Sequence, residues 1–285
     1  MIPAPFAYRR AISVADAVAA LADPDAKLIA GGHSLVPMMK LRLARPGTLI
    51  DIGGLPLAGI QDGAGEVVIG ALTTHADIAR AQALAGGALA ALAECAAAVG
   101  DAQVRNAGTL GGSVAHGDPA SDAPAGLLAT GARIRAVGAS GEREIPIDEF
   151  FKGPFWTALG GQELVSAIVV PQPAAGSASA YESIEDPASG YPLVGAAALV
   201  TVTGGRVTAA RIGVTGVSGT PFRALAAEAA ALAGASVADA ARQDIVGQDV
   251  FGDTRFDEEY RRHIAAVVIG RAVERAVARA QGGAK

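Results

Sequence analysis

"GDAQVRNAGTLGGSVAHGDPASDAPA" (Gly100–Ala125) is the stretch on which the reading of this chain turns. It sets Gly111-Gly112 between Thr109-Leu110 and Ser113, then runs through His-Gly-Asp-Pro to Ser121-Asp122. An earlier stretch, "LIAGGHSLVPMMK" (Leu28–Lys40), repeats the device: Ala30-Gly31-Gly32 leaves an apolar run and meets His33 and Ser34. Seven Gly-Gly pairs occur in the chain, so the pair alone carries no information and the flanks must decide. "AGGHS" and "TLGGS" share a small hydroxyl residue just past the glycines. Glycine lets successive backbone N–H groups converge on an anion and lets a phosphate oxygen approach the chain, while serine adds a donor without bulk. Two such loops could hold a diphosphate between them without lysine or arginine. On geometry alone, a pair of purely structural turns remains the alternative.

Around the first loop, Ser13–Leu21 reads as a helix capped by Ser13, with Val14, Ala17, Val18 and Leu21 on one face. "KLIAGG" and "TLIDI" (Thr48–Ile52) predict strands, with partly helical spacing in "LVPMMKLRLARP" between them. This is a β-α-β unit with its glycine turn at a strand end, where open α/β sheets collect ligands. Farther on, Asp62-Gly63 signals a hairpin, Thr74 caps a helix, and Ala88–Val99 predicts another. "AGLLATGARIRAVG", "EREIPIDEFF" and "GQELVSAIVVP" predict strands. Gln172–Ala180, with its proline, glycine and serines, predicts a linker. Two strand-like runs then flank Gly204-Gly205, and helices are predicted over 224–233 and 258–280. In the last helix Asp257/Arg261 and Glu258/Arg262 are spaced as i,i+4 pairs on a solvated face. The class is α+β.

Composition excludes several functions. The 285 residues carry a net charge of −5, so no basic footprint for nucleic acid exists. No apolar run is long enough to span a membrane, and "MIPAPFAYRR" lacks the pattern of a secretion signal, so a cytoplasmic protein is expected. Cys95, the single cysteine, is expected to be a buried, inert thiol; it excludes an internal disulfide and an iron–sulfur cluster held by this chain alone. The four histidines are scattered, so no metal site is expected; His33 and His116 are read as loop-shaping hydrogen-bonders and Arg105 as a salt-bridge partner. "GAGEVV" lacks the third glycine of a Rossmann fingerprint, and no P-loop occurs. Nothing is arranged for hydrolysis, and no catalytic residue is expected.

The two glycine loops in this order, the H-G-D-P-x-S-D run, and the later "FFKGPFWTALGGQELV", "ASGYPLVGAAALV" and "RIGVTGVSGTPFRA" resemble the flavin-binding medium subunit of the molybdenum hydroxylases, relatives of xanthine dehydrogenase, most closely the aerobic carbon monoxide dehydrogenase type. The likeness covers almost the whole chain. It implies an FAD-binding domain of the PCMH type over 1–173, split into a βαβ subdomain (1–55) and a larger mixed or antiparallel subdomain (56–173), and a smaller C-terminal α+β domain over 178–285 with an antiparallel sheet. It implies FAD held by Ala30, Gly31, Gly32, His33 and Ser34 on one side and by Thr109, Leu110, Gly111, Gly112 and Ser113 on the other. Asp122 becomes a hydroxyl acceptor, with an Asx turn or helix cap as the alternative; Tyr191 stacks near the isoalloxazine, and Leu164 packs beside it. The resemblance also implies partners: a large molybdopterin subunit where substrate is oxidised, and a small subunit with two [2Fe–2S] clusters. These would form a dimer of heterotrimers passing electrons through FAD to a quinone or NAD. Carbon monoxide is the first substrate expected, with a nitrogen heterocycle or aldehyde as the alternative. A self-sufficient flavin oxidoreductase, or a non-enzymatic binding module, are the competing classes.

Overall fold

Ser13 opens the first helix by accepting the Asp16 N–H on its hydroxyl, and a parallel sheet follows. In this computed structural model, residues 2–63 and 65–282 are described. Strands β1 (Ala7–Arg10), β2 (Ala26–Ile29) and β3 (Thr48–Asp51) alternate with helices α1 (Val14–Ala20) and α2 (Leu35–Lys40). The sheet order β1-β3-β2 places the chain leaving β2, Ala30-Gly31-Gly32, at the carboxyl end of an edge strand. Ala17, Val18, Ile50 and Ile52 form its core together with Leu72 and Leu164 of the following unit, so the two subdomains share apolar contacts.

The second unit starts with β4 (Ile60–Asp62) and β5 (Glu66–Gly70), antiparallel as the Asp62-Gly63 signal predicted; Ala64 lies outside the described residues. Five helices come next: α3 (His75–Arg80), α4 (Ala90–Ala98), α5 (Ala102–Ala107), α6 (Leu110–His116) and α7 (Ala123–Thr130). Strands β6 (Arg133–Gly138), β7 (Gly141–Pro146), β8 (Phe151–Gly153), β9 (Trp156–Thr157) and β10 (Leu164–Pro171) complete it. The main sheet has the order β4-β5-β10-β6-β7 and is antiparallel throughout. One prediction fails here: "AGLLATG" is helix α7, not strand. Every residue of α7 is buried, so no polar face marks the helical period in the sequence.

β11 (Ser177–Glu185) begins inside the predicted linker, leaving only residues 172–176 as the join. β11, β12 (Pro192–Thr203), β13 (Arg206–Thr215) and β14 (Phe222–Arg223) form an antiparallel sheet in chain order. Gly204 and Gly205, at φ +59° and +77°, make the two-residue turn between β12 and β13 that positive φ permits. Helices α8 (Leu225–Ala233) and α9 (Val237–Val246) follow, and α10 (Glu258–Ala280) lies across β11 and β12. The core between them is rich in alanine: Ala196, Ala198, Ala265, Ala272 and Ala276 are all inaccessible. Of the two anticipated ion pairs on α10, Glu258–Arg262 forms at 2.6 Å. The other does not: Asp257 caps the helix by accepting the Tyr260 N–H, and Arg261 is buried and pairs with Asp253 at 2.9 Å. Among the described residues no helix is long and apolar enough to cross a membrane.

One carboxylate gathers several of the bonds that join the C-terminal sheet to the helical layer in front of it. Glu94 of α4 accepts from Arg275 at 2.6 Å, from Arg279 at 2.5 Å and from the Tyr181 N–H at 2.7 Å. Beneath it Ala91, Cys95, Ala125 and Ala129 pack on Tyr181 and Ala197. Glu94→Ala strips two guanidinium groups of their shared acceptor and should cost about 1–3 kcal/mol in urea unfolding. A change below about 0.3 kcal/mol would show that this joint is carried by its other contacts and not by Glu94.

Candidate functional site

A cavity of about 880 Å³ opens where the β-α-β unit, the helical layer and the β8–β9 hairpin meet. Its volume lies within the range of small-molecule sites. Ala30, Gly31, Gly32, His33 and Ser34 line it, as do Thr109, Gly111, Gly112, Ser113, Asp122, Leu164 and Tyr191. Leu110 does not; it is turned into the core beside Val114. The two loops, far apart in sequence, are thus walls of one cavity. Residues not singled out as site candidates join them: His75, Gly108, Asp118, Ser121, Phe155 and Trp156.

The glycines act differently from what the sequence suggests. A β carbon on Gly31 would stand 2.0 Å from the Ala107 carbonyl oxygen and 2.8 Å from Gly108 Cα. Likewise, one on Gly111 would stand 2.5 Å from Ala71 Cβ. The missing side chain of Gly31 lets the first loop meet the chain entering the second, and that of Gly111 lets the second loop settle on Ala71 at the end of β5; neither by itself clears room for a phosphate. Gly32 has φ +74°, which turns the chain into α2.

The two loops differ in their free donors. Thr109 caps α6 through Gly112 N–H at 3.2 Å, and the N–H groups of Leu110, Gly111 and Ser113 go to the carbonyls of Thr73, Ala71 and Thr109. Ser113 Oγ is 2.7 Å from Ser121 Oγ. The second loop therefore has its amides committed. In the first loop, by contrast, the N–H groups of Gly31, Gly32, His33 and Ser34 have no acceptor among the described residues. Helices α1, α3, α5, α6, α9 and α10 are capped by a side-chain oxygen, whereas Ser34 starts α2 without a cap bond. An uncapped helix start preceded by free N–H groups is a place for an anion. Among the described residues Lys27 is the sole lysine or arginine on the cavity wall, against Asp101, Asp118, Asp122 and Glu163. Neutral backbone dipoles must therefore hold most of any negative charge bound here.

Asp122 is buried and does not cap α7 with its side chain, so the turn-or-cap alternative falls. Its carboxyl accepts the Tyr181 hydroxyl at 2.6 Å. Burial raises its pKa to about 7 although the tyrosine bond pulls the other way. Tyr181 comes from the C-terminal sheet, so that domain shapes the cavity. Cys95, packed against α7, is buried with its thiol pKa pushed well up by desolvation, an inert group as expected. Tyr191 is half-exposed and lines the cavity, as do the exposed Phe155 and Trp156. The His33 ring makes no hydrogen bond among the described residues, and His116 instead packs its ring 5.0 Å from that of Phe155. Neither histidine shapes its loop by hydrogen bonding. Arg105 is likewise in no ion pair among the described residues; it donates to the carbonyls of Val99 and Gly100 at 3.0 and 2.8 Å, closing the turn ahead of α5.

Residues 4–173 match the family described as the FAD binding domain in molybdopterin dehydrogenase, and residues 179–276 match the CO dehydrogenase flavoprotein C-terminal domain. The chain belongs to the molybdopterin dehydrogenase flavoprotein family. It is 38% identical to the carbon monoxide dehydrogenase medium chain of Afipia carboxidovorans over 288 residues, covering 99% of this chain and 100% of that one. It is 42% identical to the carbon monoxide dehydrogenase medium chain of Hydrogenophaga pseudoflava over 226 residues, 78% of each chain. The solved structure of reconstituted CO dehydrogenase from Oligotropha carboxidovorans superposes with a TM-score of 0.92 at 38% identity, covering 98% of this chain and 100% of that chain. The flavoprotein's cavity fits the cofactor of its family: free amides for a diphosphate, a buried carboxyl for a hydroxyl, and aromatic rings at the exposed side.

Proposed function

We propose that this chain relays electrons in a carbon monoxide dehydrogenase-type complex, holding FAD in the cavity between the two glycine loops. The observation that carries the reading is the four unsatisfied amides of Gly31–Ser34 beside an uncapped α2, in a chain that corresponds end to end with a carbon monoxide dehydrogenase medium chain. In this reading Gly31, Gly32, His33 and Ser34 donate to the diphosphate, Thr109–Ser113 supply the opposite wall, and Asp122 accepts a hydroxyl. Leu164 packs against the cofactor, and Tyr191 covers the isoalloxazine and controls acceptor access. Ala30 adds only wall, and Leu110 only core. Bound FAD supplies the redox chemistry, taking up electrons from one side and delivering them to the other. This chain's residues bind it, orient it and keep water from it. The domain division is 1–173 and 178–285, which the matched ranges support; residues 283–285 lie outside those described.

On partner chains, a large molybdopterin subunit would oxidise carbon monoxide and a small subunit with two [2Fe–2S] clusters would pass electrons on. Two heterotrimers would form a heterohexamer in the cytoplasm, peripherally at the inner membrane face, with a quinone as acceptor. Purification of the complex from its source, with flavin, molybdenum and iron analysis, tests this. The expected preparation holds one FAD per copy of this chain, metals on the co-purifying subunits, and flavin bleached by carbon monoxide. Flavin that stays oxidised under carbon monoxide, or a chain that isolates alone and turns over a substrate unaided, would contradict it.

A further inference from the structure

His75 is the first residue of α3, and its main-chain N–H donates to Gly108 O at 3.1 Å, directly beneath the point where the loops cross. Gly108 is also the residue whose Cα lies against Gly31. The imidazole is 3% exposed and borders the cavity. Its Nδ1 is enclosed and has no hydrogen-bond partner among the described residues. Its Cδ2 edge lies 3.2 Å from where a Gly108 β carbon would be, with Nε2 at 3.7 Å, so glycine at 108 leaves the ring room. A polar side chain this deeply buried is normally hydrogen-bonded, and each exception needs a reason.

The proton's position follows from that enclosure. An N–H sealed away without an acceptor is the rarer and costlier arrangement, so the proton belongs on Nε2, leaving Nδ1 as a bare lone pair. Since Nδ1 is shut in, the ring's contact with the cavity is through the edge that carries Nε2. Burial lowers the imidazole pKa to about 4, so the ring stays neutral around pH 7. An uncharged donor therefore borders the cavity between the free amides of the first loop and the capped helix of the second.

We propose that His75 is a cofactor-binding residue, its Nε2–H donating to a diphosphate oxygen of the bound flavin dinucleotide at the crossing of the two loops. This rests on the cavity being the FAD site. It adds a side-chain donor to the backbone donors of Gly31–Ser34, and places it where the Thr109 loop, with its amides spent, offers few of its own.

Titration of FAD into the deflavinated full chain, followed by flavin fluorescence, tests it with three variants. His75→Phe keeps the ring's bulk and removes the donor; its dissociation constant should rise about tenfold, the worth of one hydrogen bond. The melting temperature of its apo form should stay level or rise, because the unpartnered Nδ1 is gone. His75→Gln restores an N–H at similar reach and should recover most of the affinity. ADP, which keeps the diphosphate and lacks the ribityl and isoalloxazine groups, should weaken by the same factor in His75→Phe. Unchanged FAD affinity in His75→Phe, or affinity falling in step with the apo melting temperature in both variants, overturns the proposal. Gly32→Val serves as the control on the site: if it too binds FAD like the parent chain, the cavity assignment fails and the proposal with it. Loss in Gly32→Val with none in His75→Phe removes His75 alone.

Discussion

Gly31→Ala should abolish FAD retention and destabilise the chain by about 3 kcal/mol or more. The new methyl carbon would enter the Ala107 carbonyl group, 2.0 Å from its oxygen and 2.7 Å from its carbon, and these are backbone atoms with no rotamer to change. Relief requires the loop after β2 to separate from the end of α5, which opens the cavity between them. For a chain of this size the loss corresponds to a melting temperature lower by roughly 6–12 °C. Gly161→Ala is the matched control, since Gly161 also borders the cavity and its added β carbon would meet nothing within 4 Å. It should change stability by less than about 0.5 kcal/mol and keep its flavin. Differential scanning calorimetry and the flavin-to-protein absorbance ratio read both effects. Equal behaviour of the two variants would mean that the loop contact is not under steric control.

Asp122→Asn should stabilise the flavin-free chain at pH 8. The unfolded carboxyl ionises near its ordinary value of 3.8, whereas the folded one holds its proton until about pH 7. Between those values the native state binds more protons than the unfolded state, so this group's contribution makes stability fall as pH rises, and it levels off above about pH 7. An asparagine has no charge to bury and can still accept the Tyr181 hydroxyl. The stability difference between variant and parent should therefore grow by about 2–3 kcal/mol from pH 5 to pH 8 in urea melts. Its affinity for FAD should drop, because the carboxylate acceptor is lost; greater stability with weaker cofactor binding marks a group kept for function. A difference that stays flat across that pH range would show the carboxyl already ionised at pH 5.

Much of this was legible in the chain because local rules carried it. Ser13 and Thr74 stand where caps belong, and Gly204-Gly205 sits where a tight turn demands positive φ. The two loops could be found from their hydroxyl flanks, yet not the reason for their glycines. Gly31 must be glycine because of Ala107, and Gly111 because of Ala71, contacts made only in the folded chain. Helix α7 escaped detection because burial on all sides erases the periodic pattern that reveals a helix. Asp122 could be named, but its raised pKa comes from enclosure, and its hydrogen-bond partner Tyr181 lies 59 residues away in the C-terminal sheet. His75 gave no signal at all. Its meaning lies in a lone nitrogen with nothing to bond, which only tertiary structure discloses.

The first loop's open amides carry the cofactor assignment, and amide hydrogen exchange on the full chain, with and without FAD, reads them directly. The N–H groups of Gly31, Gly32, His33 and Ser34 should exchange rapidly in the apo chain and slow by at least about tenfold when FAD binds. Those of Leu110, Gly111 and Ser113, already bonded to protein carbonyls, should be slow in both states. Slowing confined to the second loop, or none at either, would place the diphosphate elsewhere.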